Sequence, residues 1–316
     1  SDYPHDEAKN SVAQVEDRVF GDGESILPAP YESLNKYYGR ASYSQLNLIG
    51  NVLGWYRPAY TRASIEQTTA GRQNLIKEAL QHYDQQGHDF SQYDNNGDGK
   101  IDYFAVIWAG PDTGWSGFWW GYQTSWYAPA TPLTLDGKTL GKYSWQWEVK
   151  DGFTRSAGSF DPLVLIHETG HALGLPDYYD YDEDLGPDGG AGGLDMMDAN
   201  MGDHNCFSKF LLDWINPAVY TATTNGLTLL ASGDNKEGSS AIFIDTNPGS
   251  TFGEYFMVQN RHRRGNDLNA RYPSDGLLIW HVDARLNGDG SDYIYDNSYA
   301  DHKLLRLMEA DGLEEI

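Results

Sequence analysis

The spacing of apolar residues along this 316-residue chain changes several times, and each change marks an element. Residues 1–30 are acidic and irregular, with Pro28-Ala-Pro30 as a break. Tyr31 to Gly39 reads as a short helix, and Gln45 to Leu53 alternates like a strand. Glu66 to His82 places Leu75, Ile76, Ala79 and Leu80 on one side at helical spacing, as an amphipathic helix does. Ile101 to Trp108 has the near-continuous apolar character of a buried strand. Within 133–148, Asp136-Gly137 separates two strand-like runs and signals a two-residue hairpin. A helix follows over about 161–174, where Asp161 can cap free N–H groups, Pro162 suits the first helical position, and Gly174 and Pro176 end it. Tyr178 to Gly193 is a long Asp/Gly loop without period. A further helix around Ser208–Trp214 ends at Asn216-Pro217. From 218 to 316 short apolar runs alternate with Gly, Asn and Asp, with strands expected at 241–244, 255–258 and 277–280. The expectation is an α+β chain, with a larger domain over 1–217 and a β-rich region over 218–316 packed on it.

Composition narrows the function. The formal charge of −24 repels nucleic acid and anionic membrane alike. No apolar run approaches the ~20 residues that span a bilayer, so membrane insertion is not expected. A single cysteine, Cys206, excludes an internal disulfide framework. It carries no local signature of a catalytic thiol, and a small, partly buried apolar residue is the better reading.

The chemistry concentrates in the 161–174 helix. His167, Glu168, His171, Gly174 and Asp177 form H-E-x-x-H-x-x-G-x-x-D. Residues four apart share a helix face with Cβ atoms ~5–6 Å apart, so both imidazoles can meet one metal ion. Glu168 reaches the same region without pointing at the metal, where a base must sit to deprotonate a metal-activated water. After the turn at Gly174 and Pro176, Asp177 can swing back as third ligand. The bare H-E-x-x-H pattern arises by chance on solvated helices. Here Leu163 to Ile166 is apolar, the helix is buried, and its polar groups need partners that a metal supplies. A downstream Glu, Glu183, offers a thermolysin-like alternative for the third ligand, but Gly174 and Asp177 in register favour Asp177.

A second motif, Asp94-Asn-Asn96-Gly-Asp98-Gly-Lys100-Ile-Asp102, sets side-chain oxygens at loop positions one, three, five and nine, with Gly at six. That pattern suits calcium, with Lys100 lending its backbone carbonyl. The acid that an EF-hand carries at position twelve is replaced by Ala105, so this is a loop-to-strand site needing a further acid, or else a plain Asn/Asp/Gly turn. Asp180, Asp182, Asp184 and Asp188 offer a second calcium site or, preferably, a solvated loop. His204 either lines the cleft and stabilises a developing oxyanion or serves as a capping or core residue.

Residues 167–180, H-E-T-G-H-A-L-G-L-P-D-Y-Y-D, resemble the zinc signature of the immune inhibitor A metallopeptidases (cowrins) of the metzincin clan. Similar too are Gly193-Leu-Asp-Met-Met197, matching a Met-turn at about 193–198, the stretch 208–214, and the strands 254–261 and 276–283. The resemblance covers most of the sequence from about Tyr37. It implies a metzincin-like catalytic domain with a twisted mixed sheet and an active-site helix. It also implies zinc on His167, His171 and Asp177, Glu168 as general base, Met197 packed beneath the metal, and a calcium loop. Gly110 to Trp126 corresponds in that family to the strand and rim beside the cleft, where an extended peptide can pair, though packing within a β-sheet is the preferred reading for most of its aromatics. Gln259 departs from the family, which carries Glu there.

The function expected is that of a secreted, calcium-stabilised zinc endopeptidase acting on proteins or peptides. An extracellular zinc and calcium protein that binds glycan or protein without cleaving it is the alternative. Glu168 weighs against it, because a binder needs no base beside its metal.

Overall fold

The protein is described from a computed structural model covering residues 3–23, 28–115, 117–127, 133–150, 158–182, 190–243, 252–272, 274–291, 293–295, 297–298 and 302–312. It comprises two compact units: Ser1–Pro28, Glu32–Asn35 and Leu48–Ala172 form one, and Ala29–Tyr31, Lys36–Asn47 and Leu173–Ile316 form the other. In sequence order the elements are helices α1 (Glu7–Asn10), α2 (Val12–Val19), α3 (Leu34–Ala41) and α4 (Thr69–Gln85), then strands β1 (Lys100–Pro111), β2 (Tyr122–Ser125), β3 (Thr134–Leu135) and β4 (Lys138–Val149). Helices α5 (Leu163–Leu173), α6 (Met196–Ala199) and α7 (Cys206–Leu211) follow, and then β5 (Ala218–Tyr220), β6 (Ser240–Phe243), β7 (Glu254–Arg261), β8 (Gly276–Asp283) and β9 (Leu305–Leu307).

In the first unit β4 is the central strand. It runs parallel to β1, from Lys100↔Thr139 through Trp108↔Trp147, and antiparallel to β2 and β3. Residues 143–148 are buried without alternation, as in a strand covered on both faces. The β3–β4 hairpin turns on Asp136 (φ +48°) and Gly137 (φ +79°), the two left-handed residues that the Asp-Gly signal anticipates. Aromatic rings fill the core, with Trp108 against Trp119 at 4.7 Å and Phe104 stacked on Tyr143 at 5.0 Å.

Two expectations fail in this unit. The N-terminal stretch is not irregular: it forms α1 and α2, the latter closed by a Ser11–Gln14 capping box. The reason is a buried polar hub. Glu148 Oε1 accepts from Asn10 Nδ2 (2.6 Å) and is bonded to His5 Nδ1 (2.8 Å), while Glu148 Oε2 accepts from the Gly110 N–H (2.7 Å). Asn10 Oδ1 accepts in turn from Arg18 (2.9 Å) and from the Phe160 N–H (2.6 Å). Residues 45–53 form no strand. Their N–H groups go to side chains instead, Leu46 N–H to Ser42 Oγ and Leu48 N–H to Asn35 Oδ1, and Ile49 is 80% exposed.

The second unit is built on a five-stranded sheet of order β5-β6-β7-β8-β9, antiparallel except for β5 with β6. Along β7 the side chains alternate. Tyr255, Met257, Gln259 and Arg261 face a core of Leu175, Tyr178, Met197, Phe207, Trp280 and Leu305. Gln259 sits fully inside and accepts from Trp280 Nε1 (3.3 Å), a place where a neutral amide avoids burying a charge. Buried Arg261 pairs with Asp267 and donates to the Leu194 carbonyl (2.8 Å). Burial pushes the Cys206 thiol up to about 12, so it stays protonated and packs as an apolar residue.

Asn10→Ala would strip partners from Glu148, Arg18 and the Phe160 N–H together. A loss of about 2–3 kcal/mol is expected, read as a lower denaturation midpoint. A midpoint within error of wild type would show that the hub does not hold the N-terminal helices.

Candidate metal centre

Helix α5 begins where Asp161 Oδ1 accepts the Leu163 N–H at 3.0 Å, and ends before Gly174 at φ +106°, a left-handed conformation that glycine adopts without strain. Its side chains from Leu163 to Gly170 are buried with one half-exposed break at Val164, so the helix presents polar groups inside rather than to solvent. His167 and His171 stand one turn apart, with ring centroids 4.8 Å apart and planes at 85°. The turn after Gly174 brings Asp177 to them, and one donor atom from each of His167, His171 and Asp177 lies within 4.8 Å of the others.

Two imidazoles and one carboxylate, buried or half-buried, are a donor set that could hold a metal ion, and their number matches sites that keep a fourth position open. Glu168 is buried on the same helix and does not belong to the converging set. Gly121, just before β2, lies close against this helix. A Cβ placed on Gly121 would meet Val164 Cγ1 at 2.8 Å and stand 3.8 Å from Glu168 Oε1. Beneath the helix, Tyr103 on β1 is bonded to Ser144 (2.6 Å), and its hydroxyl lies 3.3 Å from Thr169 Oγ1. Burial first, and the Glu168 charge last, push the Tyr103 phenol up to about 12. Nothing in the sequence pattern marks Gly121, because its role arises from a tertiary approach.

Asp177 is held from its own side of the turn. Tyr181 Oη donates to Asp177 Oδ2, and the Tyr178 N–H donates to the Met197 carbonyl at 2.9 Å, which ties the residue after Asp177 to the stretch expected to form a Met-turn. Met197 itself is fully buried in the core with Leu175 and Tyr178. Asp195 caps α6 by accepting the Met197 N–H (2.6 Å) and the Asn205 N–H (2.6 Å), and burial pushes its carboxyl up to about 6. The sequence pattern does not single out Tyr181; its one signal there is a hydroxyl four residues after the ligand.

The remaining candidates are placed differently. His204 is fully buried among Tyr37, Tyr38 and Trp214, the surroundings of a core histidine. In the 94–102 loop the carboxylates are turned to local N–H groups: Asn95 donates to Asp102, Lys100 to Asp98, and Gly99 to Asp94. The Asn96 carbonyl oxygen accepts from the Asp98 N–H. Lys138 bonds Asp94 Oδ2 at 2.7 Å and, before any other cause, lowers that carboxyl's pKa. Asp94 Oδ1 is buried with no hydrogen-bond partner among the described residues. Asp94, Asp98 and Asp102 do not converge as His167, His171 and Asp177 do. Of the later acidic cluster, Asp180 and Asp182 are described, while Glu183, Asp184 and Asp188 lie outside the described residues. No helix among the described residues is long and apolar enough to cross a membrane.

The family profile described as immune inhibitor A peptidase M6, catalytic domain, matches residues 9–198, a span that includes the 94–102 loop and the whole of the converging site. Immune inhibitor A of Bacillus thuringiensis subsp. alesti is 28% identical over 197 residues, covering 53% of this protein. The match spans 28% of that relative's length.

Because Tyr181 bonds Asp177 from outside the converging set, Tyr181→Phe is expected to weaken metal binding by about 10–100-fold, measured with zinc by chelator competition. An unchanged affinity would show that Asp177 is positioned by the backbone turn alone.

Proposed function

The chain belongs to the immune inhibitor A peptidase M6 family, and from that premise we propose that it is a secreted zinc-dependent endopeptidase with Glu168 as general base. The observation that carries this reading is the convergence of His167, His171 and Asp177 while Glu168, one residue along the same helix, stays outside the set. These three side chains would hold the zinc. When bound, the ion supplies Lewis acidity toward the attacking water and the scissile carbonyl.

The protein's own residues do the rest. Glu168 takes the water's proton on its carboxylate as the water attacks, and later delivers it to the leaving amine nitrogen. Strand β2 pairs on one side with β4 and is an edge among the described strands. An extended substrate adding to that edge would be gripped through its main chain, so affinity there depends little on side-chain identity. The exposed Trp120 and Tyr122 flank Gly121 and offer apolar surface to a substrate passing there. Secretion belongs to the proposal on the ground of family membership.

Calcium at the 94–102 loop is the second part of the proposal. Its support is the buried Asp94 Oδ1 that lacks a hydrogen-bond partner among the described residues, a position that a hard cation would satisfy. The Lys138 ammonium stands against the same carboxylate, so an ion there competes with an existing partner.

Glu168→Gln is expected to retain about one zinc per protein molecule while losing about 10²–10⁴-fold in hydrolysis of casein. Retained hydrolysis with zinc in place would remove Glu168 from the role of base, and zinc in both proteins with hydrolysis by neither would favour a binding function. Calcium is expected to raise the wild-type unfolding midpoint, and Asp98→Ala to lose most of that gain. An equal rise in both proteins would move calcium away from this loop.

A further inference from the structure

The sheet of the first unit carries a different chemistry on each face. Across β2 and β4 the register sets Tyr122 opposite Trp145 and Gln123 opposite Ser144. Residues paired across neighbouring strands share a face. Ser144 faces α5, since its hydroxyl is bonded to Tyr103, whose own hydroxyl lies 3.3 Å from Thr169 on that helix. Gly121 lies on the same face, because a Cβ there would meet Val164 Cγ1 at 2.8 Å and stand 3.8 Å from Glu168 Oε1. Tyr122 and Trp120 lie on the opposite face. The Tyr122 ring is 5.4 Å from the Trp145 ring, and the Trp120 ring is 6.3 Å from the Trp147 ring. Trp145 and Trp147 belong to the buried cluster that includes Leu75 and Ile76 of α4.

Trp120 is 64% exposed and Tyr122 54%. Each rests on a buried ring, and the Arg72 guanidinium stacks 3.8 Å from the Trp145 centroid, a further contact on the ring against which Tyr122 packs. Two exposed rings on a fixed backing, beside a strand edge, offer apolar surface at little ordering cost. A peptide strand added to that edge reads the two faces in turn. Its successive side chains point to opposite faces, and residues directly across have Cβ atoms ~4.5–5.5 Å apart. The peptide residue beside Gly121 turns its side chain to the α5 face, and its two neighbours turn theirs to the face of Trp120 and Tyr122. This holds whichever way the peptide runs. Glu168 stands next to Gly121, so the bonds it can serve are those of the middle residue. The next residue of β2 on the aromatic face is Thr124, across from Tyr143, so the run of exposed rings stops after two.

We infer that Trp120 and Tyr122 are specificity-determining residues that select polypeptides with two large apolar side chains one residue apart, apolar-x-apolar, cut at one of the two peptide bonds of x. The inference rests on the endopeptidase reading for the position of the cut. The selection itself is a binding property of the two rings.

Quenched-fluorescence peptides that differ only in a central Phe-Ala-Phe, Ser-Ala-Phe, Phe-Ala-Ser or Ser-Ala-Ser test it. The wild-type protein is expected to cleave the first with a kcat/KM about tenfold above either single-Ser peptide, at a bond of the Ala, as read by mass spectrometry. Trp120→Ser should lose the discrimination at one Phe and Tyr122→Ser at the other, with melting temperatures unchanged because both side chains are exposed. Tyr122→Phe should retain it. Equal kcat/KM for Phe-Ala-Phe and Ser-Ala-Ser, a cut away from the Ala, or wild-type discrimination in both Ser variants would overturn the inference and leave the peptidase reading intact. A wild-type protein that cleaves none of the peptides fails that reading instead. The inference is then decided by anisotropy of fluorescein-labelled peptides on the Glu168→Gln protein. Binding of Phe-Ala-Phe about tenfold tighter than of Ser-Ala-Ser, lost on adding Tyr122→Ser, upholds the selection; equal binding, or no saturable binding, overturns it.

Discussion

Two imidazoles one turn apart on a buried helix are a demand that the surrounding structure has to meet. An apolar interior does not tolerate polar groups without partners. His167 and His171 stand together at that helix, and the turn at Gly174 delivers Asp177 to them as a third donor. Within the first unit, Gly121 lies so close to α5 that a Cβ there would meet Val164 Cγ1 at 2.8 Å, and Gln146 of β4 donates to the Asp161 carbonyl at 3.0 Å just before the helix.

Asp177 and the residues around it belong to the second unit. The stretch that carries the Met-turn is fixed by polar contacts in a dry setting: Arg261 on Asp267 and on the Leu194 carbonyl, Lys209 on Asp203 at 2.5 Å, and Asp195 on the Met197 and Asn205 N–H groups. Buried pairs of this kind add little net stability compared with an apolar core, but losing one partner is costly, so they specify one arrangement. That arrangement holds the Met197 carbonyl where the Tyr178 N–H can reach it, next to Asp177. Precision at the donor set is thus inherited from a network that touches no metal.

The sequence discloses the parts whose signals are local. The H-E-x-x-H spacing, Asp161 at the helix start, Gly174 at its end and Asp136-Gly137 in the hairpin each act within a few residues, and each stands where its chemistry places it. Parts set by distant partners are not legible. The N-terminal helices depend on Asn10 meeting Glu148, 138 positions away. Their Ser11–Gln14 capping box is present in the sequence but masked by the acidic composition around it. Residues 45–53 alternate like a strand, yet among the described residues no strand pairs with them, and the side chains of Ser42 and Asn35 take the Leu46 and Leu48 N–H groups. In the 94–102 loop, spacing alone suggests converging carboxylates, and Lys138, from the far side of a hairpin, is invisible to that reasoning.

The central claim is that one zinc ion sits on His167, His171 and Asp177. Anomalous diffraction collected on both sides of the zinc absorption edge, from crystals of the full-length protein grown with zinc, addresses it directly. The result expected is a single strong peak about 2.0–2.2 Å from a nitrogen of each histidine and an oxygen of Asp177, with Glu168 outside bonding distance. A peak centred on other residues, or none at this site in zinc-replete crystals, would contradict the account and return α5 to the role of a buried structural helix.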